Sequence, residues 1–161
     1  MQQTFSTSDL CDAFPDICQS CDTQFKRYGG RRAFSGAIRT VKCVCDNVLL
    51  RRVLETTVQG DVLVVDGSGY LGAALMGGML AALAQKNGWS GAVVFGAIRD
   101  VGELLVLDFG LKALGSNSRK SEKHGAGQVD VPVSFGGATF APGHWIYSDD
   151  DGIIVAPREL T

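Results

Sequence analysis

Gly91-Ala-Val-Val-Phe-Gly-Ala-Ile-Arg-Asp100 is an apolar run that ends in an Arg–Asp pair. An unbroken apolar stretch such as Ala92–Phe95 reads as a strand buried on both faces, the signature of a parallel sheet. Such a strand is a rigid rail, so Arg99 and Asp100 at its exit are held more firmly than loop residues. Arg99 offers a planar fork of donors and Asp100 a hard oxygen ligand, although neighbouring opposite charges at a strand end also simply neutralise each other.

Working outward, Gly77-Gly78-Met79-Leu80 opens a helical run to about Asn87, and Val62–Val65 is a second buried strand. Further upstream, Asn47 caps an amphipathic helix from Val48 to Thr57, with Leu49, Leu50, Val53 and Leu54 inward. A strand covers Ile38–Cys45, and Thr7 or Ser8 caps a short helix reaching about Phe14. Downstream, Val101–Leu105 reads as a short helical turn. After Leu111 the pattern is β: Val129–Phe135, a Gly136-Gly137 hairpin turn, Ala138–Phe140, His144–Ser148 and Ile153–Val155. The expectation is one α/β domain over 1–161, with parallel βαβ units followed by a C-terminal antiparallel β region.

Composition narrows the function classes. A chain of 161 residues with 45% hydrophobic and 20% charged residues is ordinary for a globular domain that buries a real core. A net charge of -2 gives no basic footprint for nucleic acid. No apolar run approaches the roughly 20 residues of a membrane span, and the first ten residues lack the layout of a secretory signal, so a cytoplasmic protein is expected.

The five cysteines include Cys18-Gln-Ser-Cys21 and Cys43-Val-Cys45. Four thiolates at those positions would satisfy zinc, whereas an odd count argues against a disulfide framework. Cys43 and Cys45 lie in an alternating stretch that puts them on one strand face, so small buried thiols are the preferred reading.

Two glycine motifs compete for an anion. Gly67-Ser-Gly69-Tyr-Leu-Gly72 follows a strand as a dinucleotide loop does, yet no acid for a ribose stands about 20 residues on. A tight turn is the better reading. Gly77-Gly78 opens a helix instead, leaving bare N–H groups at the positive end of a helix dipole, or else permitting close helix–strand packing. With Arg99 and Asp100 nearby, such a pocket suits a small carboxylate that chelates a metal, notably a 2-oxo acid.

Other candidates are poorer. Lys42 and Lys86 read as solvated, and nothing marks Lys112 as a Schiff-base nucleophile. His124 lies in the polar run Arg119-Lys-Ser-Glu-Lys-His-Gly125, read as mobile or substrate-adjacent surface, and His144 reads as structural. Asp149-Asp150-Asp151-Gly152 lacks the downstream glutamate of a calcium loop and reads as a turn.

The run Val62–Val101 resembles the family of regulator of ribonuclease activity A and the 4-hydroxy-4-methyl-2-oxoglutarate aldolases. The resemblance extends to Phe25–Arg31, Ile38–Asp46, Asp108–Gly115 and Tyr147–Val155. It implies a swivelling β/β/α-type fold, homotrimeric rings that sometimes stack to hexamers, and active sites at subunit clefts. It further implies substrate binding by the amides of Gly77, Gly78, Met79 and Leu80, substrate contact and catalysis by Arg99, and a divalent cation, Mg2+ or Mn2+, on Asp100. Enzymatic members carry an acid 21 positions before the arginine to orient a water for proton transfer, and here that position is Gly78. Regulator members can lose the aspartate of the pair, which this chain keeps.

What the resemblance implies is a metal-dependent lyase that cleaves 4-hydroxy-4-methyl-2-oxoglutarate or decarboxylates oxaloacetate through a pyruvate enolate. Decarboxylation requires no base for a hydroxyl, so the glycine at 78 leads us to expect weak aldol cleavage beside retained decarboxylation. The alternative is a non-catalytic regulator that binds an RNA-degrading endonuclease.

Overall fold

A computed structural model describes residues 4–161. Twelve strands and four helices are assigned among them, in the order α1 (Thr7–Ala13), β1 (Gln19–Ser20), β2 (Lys26–Arg27), β3 (Phe34–Lys42), α2 (Val48–Leu54), β4 (Val62–Asp66), β5 (Ala74–Met76) and α3 (Gly78–Lys86). There follow β6 (Gly91–Ile98), α4 (Val101–Leu104), β7 (Gly110–Ser116), β8 (Gln128–Val129), β9 (Val133–Phe135), β10 (Ala138–Phe140), β11 (Trp145–Ser148) and β12 (Ile153–Ala156).

One large mixed sheet runs β1-β12-β11-β3-β4-β6-β7-β2, with β5 paired to β6 and β8 to β3. The segment β3-β4-β6-β7 is parallel, and β11 and β12 join it antiparallel on the far side of β3. The expected α/β class with parallel units and an antiparallel C-terminal region is therefore what the chain adopts. The hairpin β9–β10 turns at Gly136 and Gly137, both left-handed with φ of 60° and 76°, which is why glycine stands at each.

Alternation explains why the central strands are apolar throughout. Leu63, Val65, Ala92 and Val94 face a core covered by α2, α3 and α4, whereas Val62, Val64 and Val93 face a second core closed by β9–β10. Phe135 of that hairpin stacks on Phe95 and Phe140 at centroid distances of 4.7 and 4.5 Å. A third cluster, including Leu10, Tyr147 and Ile154, lies beneath α1. No helix among the described residues is long and apolar enough to cross a membrane.

Several boundaries differ from expectation. Ser6 rather than Thr7 or Ser8 caps α1, accepting from the Asp9 amide. Helix α2 stops at Leu54, and the residue that accepts from its first amide is Asp46, because the Asn47 side chain is turned away to donate to the Leu75 carbonyl. Strand β3 ends at Lys42, and Cys45 turns the chain at a left-handed φ of 54°. Cys43 and Cys45 thus do not share a strand face. Cys43 and Cys21 lie in separate cores, so the four-thiolate zinc alternative does not assemble. No group of three or more potential ligands for a metal occurs among the described residues. Burial pushes the Cys43 thiol up to about 12, the state of a small core hydrophobe.

Candidate active site at the carboxyl ends of the parallel strands

In open α/β sheets the ligand crevice forms at the carboxyl ends of the parallel strands. Here β5 ends at Met76 and delivers Gly77, while its neighbour β6 ends at Ile98 and delivers Arg99 and Asp100. The two exits are tied by the Arg99 amide, which donates to the Met76 carbonyl at 2.9 Å. The segments that follow β3 and β7 complete the rim, and the cleft between them measures about 130 Å³. Its lining includes Asn47, Gly77, Met79, Leu80, Arg99 and Asp100.

Gly77 is the N-cap of α3 and offers no side chain to its first amides. A Cβ there would stand 2.5 Å from Asp100 Oδ2 and 3.1 Å from Arg99 Cγ, so only glycine lets the helix start this close to the pair. The Gly78 amide donates to Asp100 Oδ2 at 2.9 Å. The Met79 and Leu80 amides, at the positive end of the helix, have no acceptor among the described residues. Asp100 is held at φ 62°, a left-handed conformation that costs energy for a residue with a Cβ. That turn directs the carboxylate back at α3 and away from Arg99, whose Nη1 donates to the Ser118 carbonyl at 3.3 Å. The Arg–Asp pair is therefore not a self-neutralised ion pair.

Asp100 suits a hard cation. One carboxylate oxygen accepts from the Gly78 amide, the other has no hydrogen-bond donor among the described residues, and the residue is exposed. Magnesium-type sites commonly use one or two carboxylates, with waters and substrate oxygens filling the rest, and this donor set fits that pattern.

One residue beside the cleft escaped sequence reasoning. Glu103, on α4, places its Oε2 where a Cβ on Gly78 would project, in contact too close for both to exist. A carboxylate thus stands beside Gly78 although position 78 carries none. The available signal was the Arg99-Asp-x-x-Glu103 spacing, which sets Glu103 one helical turn beyond the pair.

The rival sites look different. In Gly67–Gly72 the amides of Gly67 and Gly69 both donate to the Phe95 carbonyl, and those of Ser68 and Tyr70 donate to Asp66 and Gly67. With these four amides already bonded within the fold, the loop is a turn and not a phosphate cradle. Lys112 is buried, and its amine donates to the carbonyls of Asp149 and Gly152. Burial pushes that amine down, against the pull of Asp149 and Asp150, while its hydrogen bonds orient it as a structural donor. Asp149 accepts from the amide and hydroxyl of Thr7, and its own amide closes a turn onto Gly152. His144 Nδ1 is buried without a partner among the described residues.

The run Arg119–Gly125 is not a loose surface loop. Lys120 bridges Ala74, the buried Ser121 hydroxyl donates to the Ala74 carbonyl at 2.6 Å, and the Glu122 amide donates to Cys45 at 2.8 Å. The buried Asp46 carboxylate accepts from the amides of Val48, His124 and Gly125. Burial alone would raise its pKa, but these amide bonds outweigh burial and hold it below the usual carboxylate range.

The chain is similar over nearly all its length to proteins named "Putative 4-hydroxy-4-methyl-2-oxoglutarate aldolase". The Pseudomonas syringae pv. tomato protein is 48% identical over 98% of this chain and 97% of its own. The Azotobacter vinelandii protein is 48% identical over 97% of this chain and 96% of its own. Among solved structures, the RNA-processing inhibitor RraA from Thermus thermophilis matches with a TM-score of 0.95 and 42% identity, covering 99% of this chain and 96% of its own. A Geobacillus kaustophilus protein described as S-adenosylmethionine: 2-dimethylmenaquinone methyltransferase matches with a TM-score of 0.96 and 46% identity, over 97% of each chain. The family model RraA-like, Aldolase/RraA, matches residues 7–155, and the chain belongs to that family.

Proposed function

We propose that this protein is a divalent-metal-dependent lyase acting on 2-oxo acids, cleaving 4-hydroxy-4-methyl-2-oxoglutarate and decarboxylating oxaloacetate. The observation that carries this reading is the convergence of open amides, an unpaired guanidinium and two carboxylates at the ends of β5 and β6. The names of the relatives support the aldolase half of it.

In this reading the amides of Met79 and Leu80 bind the substrate's C1 carboxylate at the start of α3, in a segment that Gly77 and Gly78 keep free of side chains. Magnesium or manganese, held by Asp100, supplies the Lewis acidity on which an enolate-forming reaction depends. Arg99 aims its guanidinium at the C2 oxygen, where negative charge develops. Glu103 takes the proton of the C4 hydroxyl as the C3–C4 bond breaks. The electron pair of that bond passes to C2–C3, giving pyruvate enolate, and C4 becomes the ketone of a second pyruvate. Protonation at C3 completes turnover. Glu103 thus takes the part of the acid that position 78 lacks, and aldol cleavage keeps its base.

Assembly belongs to the same proposal. Met79, 79% exposed, and Val106, 84% exposed, are large apolar side chains at the start of α3 and just beyond α4. They are the kind of surface a second subunit covers, which supports a homotrimer, or a hexamer of stacked trimers, with its clefts beside the site. Sedimentation of the purified chain tests this, and a monomer at micromolar concentration would sink it.

The decisive assay is pyruvate formation from both substrates, with magnesium or manganese and with a chelator, against Arg99→Ala as matched control. Turnover that needs both metal and Arg99 supports the lyase. No turnover above that control on either substrate leaves the second reading, a regulator of an RNA-degrading endonuclease. That reading draws its support from the likeness to the Thermus RNA-processing inhibitor.

A further inference from the structure

Outside the cleft, two thiols meet. Cys11 lies on α1, which stops at Phe14 because Pro15 cannot continue a helix. The Phe14 carbonyl then accepts from the amides of Ile17 and Cys18 at 3.3 and 3.1 Å, folding residues 14–18 into a tight turn. That turn carries Cys18 back against the helix. Its Sγ donates at 3.8 Å to the Leu10 carbonyl, which belongs to the peptide joining Leu10 to Cys11. The Cys11 and Cys18 thiols are hydrogen-bonded to each other.

The other three cysteines stand apart. Cys21 belongs to the core closed by β9–β10, Cys43 to the core beneath α2 and α3, and Cys45 to a left-handed turn. Cys11 and Cys18 instead pack together at the edge of the third cluster, beside Phe5, Phe14 and Trp145, and both are half-buried rather than sealed. Neither lines the cleft at β5 and β6. Burial, with Asp12 and Asp149, pushes the Cys11 thiol up, while the Cys18 hydrogen bond pulls it back; burial and Cys11 push Cys18 up. At rest the pair is therefore protonated and reduced. What the geometry supplies is proximity: once one sulfur is captured by an oxidant, the other is already at hand, and the second step is intramolecular.

We propose that Cys11 and Cys18 form an oxidation site, at which a low-molecular-weight disulfide such as glutathione disulfide makes an intramolecular bond that staples α1 to the turn behind it. The Cys11 sulfur, as thiolate, attacks one sulfur of the oxidant, and a first glutathione thiolate leaves. The Cys18 sulfur then attacks the Cys11 sulfur of the mixed disulfide, and the second glutathione leaves. Two cysteine thiols give up two electrons and two protons, and the oxidant is reduced to two glutathione thiols. Excess thiol runs the exchange backwards. The bond acts where α1 docks, since Leu10 packs with Tyr147 and Ile154, and Thr7 donates to Asp149. Closing the loop removes freedom from the unfolded chain, so the oxidised form holds α1 on β11 and β12 more firmly. Such a reversible bond suits a reducing compartment, where a permanent disulfide framework does not persist. It stands apart from the lyase reading.

The test is peptide mapping of the full chain by mass spectrometry after incubation with excess glutathione disulfide. Remaining free thiols are alkylated in denaturant, and a matched sample is first reduced with dithiothreitol. The expected product is a single chain with Cys11 joined to Cys18, and with Cys21, Cys43 and Cys45 alkylated. Its thermal midpoint lies about 5 °C or more above that of the reduced protein, and dithiothreitol abolishes the difference. Cys11→Ser and Cys18→Ser each remove both the cross-linked peptide and the oxidant-dependent shift. Thiols that stay free in excess oxidant, glutathione adducts that persist on Cys11 or Cys18 of the parent, or a bond to another cysteine or another chain would overturn the site. An oxidised protein with the midpoint of the reduced one would overturn the staple.

Discussion

The Glu103 carboxylate fills the space into which any side chain at Gly78 would grow. A base contributes roughly 10²–10⁴-fold to proton transfer, so Glu103→Gln should lower aldol cleavage by that order. Oxaloacetate decarboxylation, which removes no hydroxyl proton, should fall far less, and the ratio of the two rates is the measurement. Gly78→Asp alone sets a second carboxylate against Glu103 and should impair the protein. Combined with Glu103→Ala it should restore aldol cleavage in part. Equal loss of both activities in Glu103→Gln would refute the assignment.

The sheet was legible because each central strand advertises itself twice, by its apolar run and by the turn chemistry around it. The Gly136-Gly137 hairpin and the β4-α3-β6 unit lie where the pattern puts them. Two stretches distant in sequence, Phe25–Arg31 and Asp108–Gly115, meet as β2 beside β7, and there Arg31 joins Asp108 at 2.9 Å. Strand and helix ends were less legible, since they are set by tertiary partners. Asn47 looks like a cap but is drawn off by Leu75, so Asp46 takes that place. In the site, Arg99 and Asp100 announced themselves through the strand that carries them. Glu103 and the anchored segment Arg119–Gly125 did not, because each acquires its meaning from a neighbour far along the chain.

Asp46 anchors the segment Arg119–Gly125. Asp46→Ala leaves the half-buried amides of Val48, His124 and Gly125 without their acceptor, at a cost of about 1–3 kcal/mol in denaturant unfolding. Its folded carboxyl lies below the ordinary 3.8, so the stability it adds is whole above that value and is lost as pH falls through the lowered one. The variant should therefore lose this part of the acid dependence below about pH 4. An unchanged unfolding midpoint would show that other contacts hold the segment.

Asp100 separates metal from substrate. Asp100→Asn keeps an oxygen that can accept from the Gly78 amide but removes the charge that favours a divalent cation. Both activities should then demand far more magnesium or manganese for half-saturation, with the thermal midpoint of the metal-free protein little changed. A chelator should abolish turnover in the parent protein, and restored metal should return it. An Asp100→Asn protein with an unaltered metal requirement would remove Asp100 as the ligand.

Arg99 distinguishes chemistry from architecture. Its guanidinium bonds only the Ser118 carbonyl among the described residues and sits half-buried at the mouth of the cleft, so little of the fold depends on it. Arg99→Ala should cost roughly 10²-fold or more in kcat on either substrate, the size of effect seen when a donor to a developing oxyanion is removed. Sedimentation behaviour and thermal midpoint should match the parent. Arg99→Lys should recover little, because a point charge does not reproduce the planar fork. If instead the variant dissociated or unfolded, the arginine would be a structural residue, and the enolate would need another source of stabilisation.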